Sequence, residues 1–325
     1  MDTRDAALAT TRLTKRYGKV DALSDLTLAV PSGTIYGFLG PNGAGKTTAI
    51  RTLLGFIRPT SGTATISGHE TWRNGVKARA DIGYLVQPDQ LYPDMSGDAH
   101  LSHAATLSGG ATPLRQHALD ALELPRSALG RRLGTYSKGM RQKLALVLAM
   151  QHDPALLILD EPSDGLDPLI QRRFEQLLIE RRDAGRTVFM SSHDLTEVDR
   201  VCELVAIVRG GRLVAEESVA VLKQRQRRRL TVGAHAVGAL ERLPGVVRIG
   251  AEDGLVSYLV DGEIEPLLRT LADIRPTEVT LTPPTLDDIF LTFYGDDDAR
   301  GSEPRGDGGH GGPPRRRGSD EADGG

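Results

Sequence analysis

The sequence predicts an α/β fold built on a mostly parallel sheet with helices packed against it, followed by a smaller α+β unit and a polar tail. Three observations predict it. Short apolar runs bounded by Asp, Pro and Gly alternate with helical stretches: Ile35-Tyr36-Gly37-Phe38-Leu39, Leu156-Leu157-Ile158-Leu159 and Thr187-Val188-Phe189-Met190. A glycine-rich segment stands between the first of these runs and a helical stretch at 47–54. Beyond residue 229 the pattern restarts with short alternating strands and two helices.

The chain has 325 residues, enough for one large or two ordinary domains and for a full hydrophobic core. Hydrophobic residues make up 39% and charged ones 26%, a soluble globular balance. A net charge of −3 and a pI near 6.3 give no global positive field, so no nucleic-acid partner is expected. The single cysteine, Cys202, excludes an internal disulfide and any cysteine-cluster metal site, and fits a reducing cytosol. The acid-containing start, Met1-Asp2-Thr3-Arg4-Asp5, has no apolar core of a secretory signal. The longest uncharged run, 26–45, carries Pro31, Pro41, Asn42 and several glycines, which a membrane-spanning helix would tolerate badly. No repeat of 20–50 residues is present.

Taken in order, residues 87–132 are rich in alanine and leucine and helix-prone, a helical insert. The turn Arg209-Gly210-Gly211-Arg212 joins two apolar runs as a hairpin, and 223–229 is a charged link containing Arg225, Arg227, Arg228 and Arg229. Then come a strand at 230–232, a helix at 235–243, strands at 246–249 and 256–260, a helix at 264–271 and a strand at 279–282. That βαββαβ order is the ferredoxin-like arrangement. Thr285-Leu286-Asp287-Asp288 opens a helix with apolar Leu286, Ile289, Phe290 and Phe293 at helical spacing. From 296 to 325 apolar residues vanish, and disorder is expected.

Gly40-Pro41-Asn42-Gly43-Ala44-Gly45-Lys46-Thr47 fits the phosphate-binding pattern G-x-x-x-x-G-K-[ST]. Glycines let successive backbone N–H groups turn inward around a phosphate, and the helix that follows adds its positive end. In that pattern Lys46 reaches the β- and γ-phosphates, the Thr47 hydroxyl can hold Mg²⁺, and Thr48 can donate to the α-phosphate. The run 156–159 ends in Asp160 and Glu161. An acid at the carboxyl end of a parallel strand faces the ligand crevice, where Asp160 can bind Mg²⁺ and Glu161 can orient or deprotonate a water.

Tyr136-Ser137-Lys138-Gly139-Met140-Arg141-Gln142 makes a family resemblance specific: the sequence is similar to the nucleotide-binding subunits of ABC (ATP-binding cassette) transporters. The family signature is usually Ser-Gly-Gly-Gln; Ser137 and Gly139 are kept, and Lys138 and Met140 depart from it. The resemblance implies a P-loop NTPase core with an antiparallel N-terminal β part, spanning 6–222 with a helical subdomain at 88–135. A small domain at 229–295 and the tail at 296–325 follow. It also implies that Gln87 reaches Mg²⁺ and the attacking water, and that Ser163-Asp164-Gly165-Leu166-Asp167 lies across a dimer interface. His193 is implied to hydrogen-bond the γ-phosphate, and Tyr17 to stack on adenine.

The expectation is an ATP- and Mg²⁺-dependent ATPase in which Ser137 and Gly139 serve the nucleotide of a second copy of the chain. The signature and Pro284-Thr285-Leu286-Asp287-Asp288-Ile289-Phe290-Leu291 resemble the drug-export and ABC-2-type subfamily, in which an integral-membrane permease forms the pore. That places the chain in the cytoplasm, peripheral on the inner face of the membrane, with Pro88-Asp89-Gln90-Leu91-Tyr92-Pro93 receiving a permease helix. The alternative is a non-transport ABC ATPase acting on ribosomes or DNA. One cassette, no long heptad region and one cysteine argue against its known types.

Overall fold

The run Ile35–Leu39 has no exposed residue, and the same holds for Leu156–Asp160 and Thr187–Ser192. Such runs can only be interior strands covered on both faces. The computed structural model, which describes residues 6–224, 228–233, 237–252, 254–261 and 264–282, places them at the centre of a parallel sheet.

In chain order the first part comprises β1 (Ala6–Tyr17), β2 (Val20–Pro31), β3 (Ile35–Leu39), α1 (Lys46–Leu53), β4 (Ser61–Ile66), β5 (His69–Glu70), α2 (Gly75–Ala78) and β6 (Ile82–Tyr84). A helical stretch follows: α3 (Gly97–Leu107), α4 (Arg115–Ala121), α5 (Arg126–Leu129) and α6 (Lys138–Met150). Then come β7 (Leu156–Asp160), α7 (Pro168–Asp183), β8 (Thr187–Ser192), α8 (Leu195–Val201), β9 (Leu204–Arg209), β10 (Arg212–Ser218) and α9 (Val219–Gln224). The last part holds β11 (Arg228–Gly233), α10 (Val237–Leu240), β12 (Val246–Glu252), β13 (Leu255–Val260), α11 (Ile264–Ile274) and β14 (Val279–Thr282).

The central sheet runs β10-β9-β3-β8-β7-β6, parallel except for the β9–β10 hairpin. Successive side chains on its strands go to opposite faces. Ile35, Leu39, Leu157, Leu159, Val188 and Met190 join one core cluster, with residues of α6, α7 and α8. Tyr36, Phe38, Leu156, Ile158 and Phe189 join the other, with α1 and the antiparallel sheet β2-β1-β4-β5. Phe189 binds this second cluster together, its ring centroid 5.8 Å from that of Tyr36 and 5.5 Å from that of Phe38. The parallel register sets Leu39 opposite Ser192 and Asp160 opposite Ser191, so the chain leaves β3, β7 and β8 at one edge. That edge is where ligands bind in open α/β sheets.

The third sheet runs β12-β13-β11-β14, wholly antiparallel, with Leu240 of α10 and Leu267 and Leu271 of α11 packed into its own core cluster. This is the βαββαβ order expected from the alternation. Several bounds differ from expectation. The first helix of this unit ends at Leu240 rather than 243, with 235 and 236 outside the described residues, while β12 continues past 249 to Glu252 and α11 past 271 to Ile274. The charged link is narrowed from both sides: Val219 and Leu222, buried on the main core, carry α9 to Gln224, and Arg228 and Arg229 already pair with Val260 and Leu259. The helix expected at 285–293, the tail at 296–325, and Arg225 and Arg227 lie outside the described residues.

Phe189→Ala should remove both ring contacts and lower unfolding stability by about 3–5 kcal/mol, the scale of a large aromatic lost from a core. Urea denaturation followed by circular dichroism measures it; a loss under 1 kcal/mol would contradict the packing described.

Candidate active site

The segment after β3 becomes a phosphate cradle because of its glycines. Gly43 and Gly45 take φ of 81° and 102°, a backbone region that favours glycine. A Cβ on Gly45 would lie 2.5 Å from the carbonyl oxygen of Ala22. α1 starts at Lys46 with no side-chain cap, leaving its first N–H groups directed at the cavity. That cavity, about 290 Å³, is walled by Pro41, Asn42, Gly43, Gly45, Lys46, Thr47 and Thr48. Lys46 is 5% exposed. Its Nζ donates to the carbonyls of Gly40 at 2.7 Å and Pro41 at 3.3 Å, and lies 3.2 Å from Glu161 Oε1. Ala44 is buried behind the loop.

The strand-end acids are held by Ser191. Its hydroxyl donates to Asp160 Oδ1 at 2.6 Å and accepts from the Glu161 N–H at 3.1 Å. Glu161 turns the chain sharply, with φ of 49°, uncommon for a non-glycine residue and a conformation that persists only where neighbours hold it. The turn directs the carboxylate between two cations or potential cations: Lys46 on one side, and His193 Nδ1 3.0 Å away on the other. Thr47, Gln87, Asp160 and Glu161 then share one polar cavity of about 320 Å³, with Gln142 and Asp164 on its wall. Glu161, Asp164 and His193 offer ligand atoms within 4.8 Å of one another.

Ser137 and Gly139 are not brought to this cavity. They stand at the start of α6, where Ser137 Oγ accepts from the Met140 N–H at 3.2 Å. Gly139 and Lys138 lie instead on the segment after β7: a Cβ on Gly139 would be 3.0 Å from Gly165 O, and the Lys138 chain covers Gly165. Tyr17, 47% exposed, has Lys15 Nζ 4.9 Å above its ring; it stands beside the phosphate cavity while its ladder partner Val20 lines it. A third cavity, about 570 Å³, opens beside Gln87, Asp89, Leu91, Pro93, Lys138 and Arg141. Its floor includes a single 3-10 turn, Pro88–Gln90.

The sequence assigns no role to some residues of the site. Gly210 and Gly211, read only as a hairpin turn, line the phosphate cavity, and the Gly211 N–H donates to Ala44 O at 3.0 Å. Gln142, buried, donates to Pro162 O at 2.6 Å and so holds the Pro162–Ser163 peptide, one residue beyond Glu161. Glu197 is 2% exposed and bridges the hydroxyls of Ser163 and Ser192. Burial raises its carboxyl above the usual carboxylate range, aided by the nearby charges of Asp194 and Glu175 and opposed by the two serine hydrogen bonds.

A phosphate cradle, a strand-end acid pair and a histidine at one edge of a parallel sheet define a nucleotide-hydrolysing P-loop protein. The ABC transporter family matches residues 23–164. The chain is similar to daunorubicin resistance ATP-binding protein DrrA3 of Streptomyces coeruleorubidus, 35% identical over 90% of this chain and 97% of that one. It is similar to bacitracin transport ATP-binding protein BcrA of Enterococcus faecalis, 34% identical over 89% and 96%. Among solved structures, the ATP-binding subunit of an ABC transporter is 29% identical with a TM-score of 0.62, covering 67% of this chain and 92% of that one. The chain belongs to the ATP-binding subunits of ABC transporters, and it is an ATPase. No described helix is long and apolar enough to cross a membrane.

Ser191→Ala should leave Asp160 Oδ1 and the Glu161 N–H without their shared partner. The expected cost is about 1–3 kcal/mol of stability, read by urea titration; an unchanged midpoint would contradict the role assigned to the hydroxyl.

Proposed function

We infer that this chain drives an exporter by hydrolysing ATP at the Lys46–Glu161–His193 edge, and that two copies close around the nucleotide. The observation that carries this is the position of Glu161, held within 3.2 Å of Lys46 and 3.0 Å of His193 beside the phosphate cradle. The backbone of residues 40–45, with Thr48, binds the phosphates, and Lys46 exchanges Glu161 for the β- and γ-oxygens as they enter. Glu161, released from Lys46, accepts a proton from the attacking water. His193 and Gln87 orient that water and the γ-phosphate, and Tyr17 takes the adenine beside Val20.

Thr47, Gln87 and Asp160 offer a hydroxyl, an amide oxygen and a carboxylate in one cavity, the hard oxygen donors that suit Mg²⁺. Bound there, Mg²⁺ would neutralise charge on the β- and γ-phosphates. Ser137 and Gly139 stand clear of their own chain's cradle, which supports their use on the nucleotide of the second copy.

The cavity beside Leu91 and Pro93, with exposed Tyr92 nearby, suits a permease helix and would set the subunit on the inner face of the membrane, in the cytoplasm. Relatives named for daunorubicin resistance and bacitracin transport support a hydrophobic, drug-like cargo. In this reading residues 6–222 form the cassette, 88–135 its helical subdomain, and 229–295 a separate small domain.

Glu161→Gln should keep ATP affinity within about threefold while lowering turnover by about 10²–10⁴-fold, the range of a lost general base. Lys46→Ala should lose nucleotide affinity itself. Calorimetry and a phosphate-release assay read both; wild-type turnover by Glu161→Gln would remove that residue from the role.

A further inference from the structure

The carboxyl of Glu197 departs from the place that its position in the helix predicts. Asp194 caps α8, its Oδ1 accepting from the N–H groups of Thr196 and Glu197 at 2.8 and 3.3 Å. An acid three residues after such a cap ordinarily turns back to accept the cap residue's own N–H, closing a reciprocal box. Here Ser192 Oγ takes that N–H instead, at 2.9 Å. Glu197 is thereby freed to point inward, where Oε2 accepts from Ser192 Oγ at 2.7 Å and Oε1 from Ser163 Oγ.

Those two serines frame the reacting groups. Ser163 lies two residues after Glu161 and one before Asp164; Ser192 lies one residue before His193. The ends of β7 and β8 are therefore stitched twice, once by Ser191 to Asp160 and Glu161, and once through Glu197 to the segment that follows. Both stitches hold a carboxyl out of water, Asp160 at 4% exposed and Glu197 at 2%, and burying each is costly without its hydrogen bonds. A helix cap needs no such burial. We propose that Glu197 is a positioning residue for hydrolysis: it sets the distance between the segment bearing Glu161 and Asp164 and the strand end bearing His193, so that His193 meets Glu161. This rests on the assignment of Glu161 and His193 to the reaction. It also ties the position of His193 to residues 163–167 through one side chain.

The test uses the full-length chain and the variants Ser163→Ala, Ser192→Ala, Glu197→Ala, His193→Ala and the double variant Glu197→Ala/His193→Ala. Turnover, KM for ATP, ATP affinity by calorimetry and the thermal midpoint are measured for each. The single-hydroxyl variants leave no charge unpaired beyond the carboxyl itself, so they report even if Glu197→Ala fails to fold. Expected are turnover losses of about 10- to 100-fold in Ser163→Ala, Ser192→Ala and Glu197→Ala, the scale of a misplaced reacting group, with KM and ATP affinity within about threefold. The double variant should be no slower than His193→Ala, because Glu197 acts through His193.

Wild-type turnover in both serine variants would overturn the proposal. So would losses in the double variant that multiply, since they would make Glu197 independent of His193. Wild-type turnover by His193→Ala would instead remove the histidine's role, and with it the route proposed for Glu197, whereas an impaired His193→Ala beside active serine variants rejects Glu197 alone.

Discussion

The ammonium of Lys46 is almost out of contact with solvent, and burying a charge is costly unless it is paired. Much of the site follows from that requirement. Two carbonyls of the cradle satisfy part of it, and Glu161 supplies the opposite charge. To reach Lys46 from the end of β7, Glu161 adopts a left-handed backbone, which is maintained by Ser191 beneath it and Gln142 behind it. The same turn lays the second oxygen against His193. The groups proposed for hydrolysis thus satisfy one another. In the function proposed above, a triphosphate would replace Glu161 at Lys46, and that exchange would free the carboxylate for chemistry.

The parallel sheet makes this pairing possible. β3, β7 and β8 run in the same direction and in register, so segments far apart in sequence emerge side by side: the cradle after residue 39, the acids at 160 and 161, and the histidine at 193. The aromatic stack of Tyr36, Phe38 and Phe189 beneath them fixes β3 against β8, the two strands whose ends carry the cradle and His193.

What could be read in the sequence was local. The cradle's spacing, the apolar runs of the buried strands and the βαββαβ alternation after residue 229 each sit within a few residues, and the elements follow them closely. Interactions between distant segments left no such trace. Ser191 and Glu197 act on residues 30 or more positions away, and nothing near Glu197 distinguishes it from an ordinary acid early in a helix. Gly210 and Gly211 have the composition of a tight turn, and only the fold reveals that this turn abuts Ala22 and Ala44. The charged link is shorter than the sequence suggests, because Arg228 and Arg229 begin a strand that continues through apolar Leu230 and Val232.

Ser137 and Gly139 are absent from the wall of their own chain's cradle, and the proposed second copy is what would bring them to a nucleotide. Sedimentation velocity on Glu161→Gln, with and without saturating ATP and Mg²⁺, measures this most directly. The account predicts a particle of one chain, 35.0 kDa, without nucleotide and of two chains with it. A single chain under both conditions, while the wild-type protein hydrolyses ATP under the same saturation, would contradict it.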